Sequence, residues 1–294
     1  MNMRNIHDLP ALETPKLYLD GVSVFSNPLA KKRISSKPLS AKKVKNSPKV
    51  LMYHRVVEDK NISGNETKCV HVDEFRKQLE VLEKFNYTPI TFEDYSLHTQ
   101  NLLRLPQKPV IITFDDGYVD TYDVAFPIMK EFGMNGVLFA LGNRSILTNK
   151  WDEDQEDISR AELMNNEQLV ELHKNGFEIG AHTLNHPNLK DLSPEDCYEE
   201  ISNSKVVLES IIGEKVRTFS YPYGFVNKRL KKLVAKSGFD FACGVYSGPV
   251  TFSEDLMEIR RLEVKNTTSV IGFASKLLTP YEYLEYLWWK FKKQ

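Results

Sequence analysis

One stretch constrains this chain more than any other: Val110-Ile111-Ile112-Thr113-Phe114-Asp115-Asp116-Gly117-Tyr118. A short apolar, β-branched run that ends in a turn signal reads as a buried strand, with Asp-Asp-Gly as the turn leaving it. Two adjacent carboxylates at a buried strand end resist joint ionisation. A cation or a shared proton relieves that cost, so the stretch itself asks where further metal ligands lie.

The rest of the chain supplies a periodic frame for this strand. Seven strand-like runs are predicted, at 50–54, 110–116, 135–141, 177–182, 216–223, 240–245 and 259–264. Helical patterns separate most of them. One starts at Asp73 with Phe75, Leu79, Leu82 and Phe85 on one face; another opens with Ser193-Pro194-Glu195-Asp196, a cap followed by proline and acids, and runs to Gly213. Strand–helix alternation implies a parallel sheet with right-handed crossovers. A (β/α) barrel and an open doubly wound sheet both satisfy it, and in either the chemistry lies beyond the carboxyl ends of the strands. His54, Asp115, Asp116, His182 and Tyr223 all fall at or just past such ends.

Length and charge exclude several classes. The 294 residues suffice for one large α/β domain or two small ones, and a net charge of −1 gives no global attraction to nucleic acid. No apolar run is long enough to span a bilayer, and the first residues contain no secretory h-region, so a cytoplasmic location is expected. Three widely spaced cysteines, Cys69, Cys197 and Cys243, give no disulfide framework. Residues 1–48 read as a flexible basic leader, with eight Lys or Arg between Lys31 and Lys49 and no acid from Gly21 to Val57. Residues 49–294 are expected to form the main folded domain, with a C-terminal helical extension.

His182 and His186 stand four residues apart, which places them on one side of a helical turn. Two imidazoles and one carboxylate from the Asp115-Asp116 pair make a metal site with open positions, the catalytic rather than the structural pattern. At this point the residues resemble a known family. Thr113-Phe-Asp-Asp-Gly-Tyr118, His182-Thr-Leu-Asn-His-Pro187 and Phe219-Ser-Tyr-Pro-Tyr-Gly224 resemble the motifs of the polysaccharide deacetylases, carbohydrate esterase family 4. Together with Leu51-Met-Tyr-His54 they look most like the branch that deacetylates poly-β-1,6-N-acetylglucosamine. The resemblance implies a distorted (β/α)7 barrel with parallel strands. It implies one divalent ion, zinc with cobalt, nickel or iron as alternatives, on Asp116, His182 and His186. Asp115 is then the general base that takes a proton from water acidified by the ion, and a backbone N–H near Tyr223 helps to hold the oxyanion.

Two departures from the family pattern shape the remaining expectations. No histidine follows His186, so the late histidine that serves as acid in much of the family is absent, and the resemblance points to His54 instead. The third motif carries Phe219 and Tyr221 where many relatives have an arginine that holds the catalytic aspartate. Arg261, on the last strand, is the expected replacement; an ordinary surface ion pair is the competing reading. Tyr118, Tyr223 and Trp151 are candidate sugar contacts, set against simple packing or, for Trp151, anchoring of its own loop. Tyr281, Leu284, Trp288 and Phe291 follow helical spacing and end among lysines, which suits a cover over the barrel or a peripheral membrane face. The expected substrate is a carbohydrate, N-acetylglucosamine-like; a lipid-linked sugar, a small non-sugar amide and a non-catalytic carbohydrate-binding barrel are the alternatives. Oligomeric state is not encoded legibly.

Overall fold

The computed structural model describes residues 47–152 and 159–292, so residues 1–46 of the expected leader lie outside the described residues. The strands are β1 (Lys49–Tyr53), β2 (Arg55–Val57), β3 (Cys69–His71), β4 (Thr88–Pro89), β5 (Pro109–Phe114), β6 (Val137–Ala140), β7 (Glu178–Ala181), β8 (Thr218–Ser220), β9 (Phe241–Cys243) and β10 (Leu262–Glu263). The α-helices are α1 (Lys60–Asn65), α2 (Val72–Lys84), α3 (Phe92–Thr99), α4 (Phe126–Glu131), α5 (Asn166–Lys174), α6 (Pro194–Ile212), α7 (Lys228–Lys236), α8 (Val270–Leu278) and α9 (Tyr281–Lys292).

Seven strands run parallel in the order β10-β1-β5-β6-β7-β8-β9, and β4 adds a short pairing to β5. The last segment of the sheet closes it. Ile259 bridges Cys243 of β9, while Leu262 pairs with Leu51 of β1. Continuous bonds from Gly244 N to Ile259 O (2.9 Å) and from Arg261 N to Val245 O (3.1 Å) carry that join along the strand. The result is a distorted (β/α)7 barrel, so the open doubly wound alternative is set aside. The seven expected strands coincide with these seven; the small β2–β3 pair and β4 were not anticipated, being too short to show a period.

Helix boundaries follow the capping chemistry. Ser193 accepts from Asp196 N at the start of α6, and Gly213 ends it in a left-handed conformation (φ 74). Thr91 and Asp94 form a reciprocal capping box on α3, as Asn165 and Gln168 do on α5.

The two-residue period of the strands decides what faces the barrel axis. On β5, Val110, Ile112 and Phe114 pack in the layer beneath the helices, with Phe75, Leu79 and Phe177. Ile111 points the other way, into a second cluster with Val50, Val137, Phe139, Phe241, Cys243 and Ile259. That cluster fills the amino-terminal half of the barrel. Gly180 makes room for it, since a Cβ there would stand 2.5 Å from the Phe139 ring and from Thr218 Oγ1. Continuing the same parity toward the carboxyl ends brings Met52, Thr113, Ser220, Arg261 and Glu263 inward, followed by His54, Asp115 and His182. The fold therefore changes from apolar to polar along one axis.

Candidate metal and catalytic site

Asp115 leaves β5 still facing the interior and is 3% exposed. Arg261 meets it with a two-pronged bond, from Nη1 to Oδ1 at 2.6 Å and from Nη2 to Oδ2 at 2.8 Å. The remaining guanidinium donors reach Thr113 Oγ1 (3.2 Å), Ser220 Oγ (3.0 Å) and Gly244 O (2.8 Å). All five N–H donors of a fully buried arginine are thus satisfied. Arg261 is no surface ion pair. Burial pushes the Asp115 carboxyl up, but Arg261 outweighs it and holds the group below the usual carboxylate range.

Asp116 is turned off the strand axis by a left-handed backbone (φ 74), followed by Gly117 at φ 82. Aspartate tolerates this region better than most residues, and glycine completes the turn freely. The turn points the second carboxylate away from Arg261 and toward the histidines. His182 Nε2 lies 3.2 Å and His186 Nε2 3.4 Å from the same oxygen, Asp116 Oδ1. Burial opposes ionisation of Asp116, yet the two imidazoles keep its carboxyl well below the ordinary range.

The histidines do not lie on a helical turn. Residues 182–188 form an irregular loop in which Thr183 (φ 65) and His186 (φ 59) are left-handed. The four-residue spacing brings the rings together through these two reversals, not through a 3.6-residue period. Glu200 of α6 braces the loop by accepting from Leu184 N (3.0 Å), Asn185 N (2.9 Å) and the Asn185 side chain. His182 Nδ1 is 2.8 Å from Ser220 O, a carbonyl that can only accept, so Nδ1 carries a proton and, in the neutral ring, Nε2 presents a lone pair toward Asp116. A bare imidazole nitrogen facing a carboxylate oxygen is repulsive unless a cation or proton stands between them. The donor atoms of Asp116, His182 and His186 lie within 4.8 Å of one another, all three buried. This donor set fits a divalent transition ion.

The cluster opens into a cleft of about 460 Å³. Asp115, Asp116, His54, His182, His186 and Tyr223 line it. Burial carries the His54 imidazole down to about 4, against the pull of Asp116. Tyr223, left-handed at φ 57 and 53% exposed, sets its ring against His186 at 4.9 Å. The other two aromatic candidates are placed differently from the expectation of a sugar platform. Tyr118 is buried, burial and the Asp116 charge push its phenol up, and the Arg55 guanidinium is 5.4 Å from its ring. Trp151 stacks on His186, with ring centroids 4.4 Å apart. Neither lines the cleft.

Several lining residues escaped the sequence reading: Lys68, Val226, Val245, Tyr246, Ser247 and Glu263. Glu263 was recoverable, since it lies two positions from Arg261, which was already expected to face inward. Lys68 and Tyr246 sit in loops with no period to place them.

The comparisons agree with this geometry. Residues 103–242 match the family model described as polysaccharide deacetylase. YxkH of Bacillus subtilis, a protein assigned to the polysaccharide deacetylases, is 27% identical over 226 residues, covering 77% of this chain and 74% of its own length. Residues 103–242 carry a polysaccharide deacetylase domain. That family consists of hydrolases acting on carbon–nitrogen bonds. A second member, the poly-β-1,6-N-acetyl-D-glucosamine N-deacetylase of Staphylococcus epidermidis, is 26% identical, covering 76% of this chain and 80% of its own. Among solved structures, the Streptococcus pyogenes deacetylase PplD in complex with acetate superposes with a TM-score of 0.67 at 23% identity, covering 80% of this chain and 99% of that one. IcaB from Ammonifex degensii gives 0.65 at 22%, covering 80% and 98%. These two likenesses establish the fold.

Proposed function

We propose that this chain removes N-acetyl groups from N-acetylglucosamine-type sugars with the help of one divalent ion, zinc being the first choice. The observation that carries the reading is the division of the carboxylate pair: one acid faces two imidazoles, and the other is locked by Arg261 at the same cleft wall. A sugar-binding barrel has no use for such a division. The named activity of the Staphylococcus epidermidis relative supports a β-1,6-linked polymer as substrate.

Asp116, His182 and His186 would hold the ion. When bound, it supplies Lewis acidity, lowering the pKa of water toward ~7 and opposing negative charge on the amide oxygen. Asp115 takes the water proton. Its fork with Arg261 fixes the direction of the carboxylate and keeps it ionised while it waits. His54 is uncharged at neutral pH in the free protein, so it acts as a relay: the proton that Asp115 takes from water passes to His54, which delivers it to the departing amine. The stoichiometry closes, because water adds OH to the acetyl carbon and its hydrogen ends on nitrogen, releasing acetate and a free amine. Tyr223 bounds the cleft on the His186 side.

Acetate release from β-1,6- and β-1,4-linked N-acetylglucosamine oligomers and from a lipid-linked monosaccharide tests the reading. Metal-loaded protein should release acetate from the β-1,6 series fastest, and Asp115→Asn from none. If the loaded protein released acetate from no member of the panel, the reading would be wrong.

A further inference from the structure

Helix α9 is built inside out. Its two carboxylates face the body of the protein: Glu282 pairs with Lys49 at 3.1 Å, and Glu285 with Arg260 at 3.5 Å. Tyr286 joins them, with the Arg260 guanidinium 5.3 Å from its ring. The opposite face carries Leu284, Leu287, Trp288 and Phe291, spaced at i, i+3, i+4 and i+7, and these are 60%, 36%, 59% and 78% exposed. Tyr283 (53%) and Leu278 (46%), at the end of α8, extend the apolar surface. The expectation that this helix covers the barrel core with its apolar side is therefore corrected: Tyr281 packs on the core, and the remaining apolar stripe points outward.

The charges around the stripe select its partner. With Glu282 and Glu285 turned inward, no acid of α9 remains on the outer side. Lys276 and Lys290 stand at the margin between the two faces, their ammonium groups 4.1 Å from the Tyr281 ring and 4.7 Å from the Tyr286 ring. A stripe of Leu, Trp and Phe with lysines at its margin is complementary to an anionic bilayer surface: rings and branched chains enter the acyl boundary while ammonium groups meet lipid phosphates. A second copy would bring the same lysines against each other. We propose that α9 docks the enzyme on the surface of an anionic membrane.

The placement suits catalysis. Lys49 is the first residue of β1, and Arg260 stands at the start of the closing segment. Their contacts put α9 toward the amino-terminal end of the barrel, away from the cleft at the carboxyl ends. A docked enzyme would hold its cleft open to water, where a soluble or extruded glycan can reach it. This inference does not depend on the substrate proposed above.

The test is co-sedimentation of the full chain with vesicles of phosphatidylcholine alone and of phosphatidylcholine with phosphatidylglycerol, at low and high salt. Wild type should pellet with the anionic vesicles, more weakly at high salt, and the double variant Trp288→Glu/Phe291→Glu should lose about tenfold or more in partitioning. The same variant should keep wild-type thermal stability and acetate release from a soluble oligomer, which separates lost docking from lost folding. Equal pelleting of variant and wild type, or no pelleting of wild type, would overturn the proposal. So would a wild-type dimer in solution that the double variant converts to monomer.

Discussion

Arg261→Met removes the guanidinium and leaves Asp115 at 3% exposure with one hydroxyl contact, from Ser220 at 3.3 Å. Breaking a buried pair by removing one partner costs about 3–5 kcal/mol. The sign of the pH dependence is more diagnostic than the size. In wild type the Asp115 pKa is depressed, so its contribution is present above the unfolded value of 3.8 and lost as pH falls through the folded value. Without Arg261, burial remains as the leading influence and raises the pKa above the unfolded value. The variant then loses about 1.4 kcal/mol per pH unit as pH rises between the two values. Its deficit against wild type should widen as pH rises from 4 toward 7. Urea denaturation of the metal-free proteins at several pH values measures this without the ion's own charge holding Asp115 ionised. On the loaded enzyme, the acid limb of acetate release should move to higher pH. A deficit of constant size across the pH range would refute the assignment, leaving Arg261 as packing alone.

Three other outcomes follow from the geometry. Glu178, inward on β7 at the closed end of the barrel, is pushed by burial to about 8. Its contribution is full below the unfolded value of 4.5 and is lost as pH rises through 8, so Glu178→Gln should flatten the fall in melting temperature that wild type shows over that window. Trp151→Ala removes the ring stacked on His186 and should weaken metal binding about 10- to 100-fold by calorimetry, the effect typical of supporting residues; unchanged affinity would make Trp151 a loop anchor only. Glu200→Gln should likewise weaken metal binding more than it lowers stability, because the loop that Glu200 holds carries His186.

What was legible in the sequence depended on period and punctuation. Val110 to Phe114 declared a strand, and the Asp-Asp-Gly after it declared a turn, because β-branched runs and glycine act locally. Seven such runs implied a parallel sheet, and the family resemblance implied its closure into a barrel. The inward facing of Asp115 and Arg261 follows from the same two-residue alternation, which is why an arginine far along the chain could be nominated for the place of one missing from the third motif. What stayed hidden depends on backbone reversals and loops. Thr183 and His186 adopt left-handed conformations that no local pattern announces, so the histidine pair read as helical. Tyr118 follows Gly117 directly, and the reversed turn sends it beneath Asp116 instead of into the cleft. Trp151 belongs to a loop whose path is set by tertiary contacts. On α9 the spacing was plain, but which face turns inward was decided by Lys49 and Arg260, residues distant in sequence.

The central claim is that one ion on Asp116, His182 and His186 works beside Asp115. It is tested most directly by titrating metal-stripped protein with zinc while following acetate release from a β-1,6-linked N-acetylglucosamine oligomer. Activity should rise from baseline and saturate at one ion per chain, with His182→Ala failing to bind and Asp115→Asn binding normally without turnover. Undiminished acetate release by the stripped protein, or full turnover by Asp115→Asn, would contradict the account.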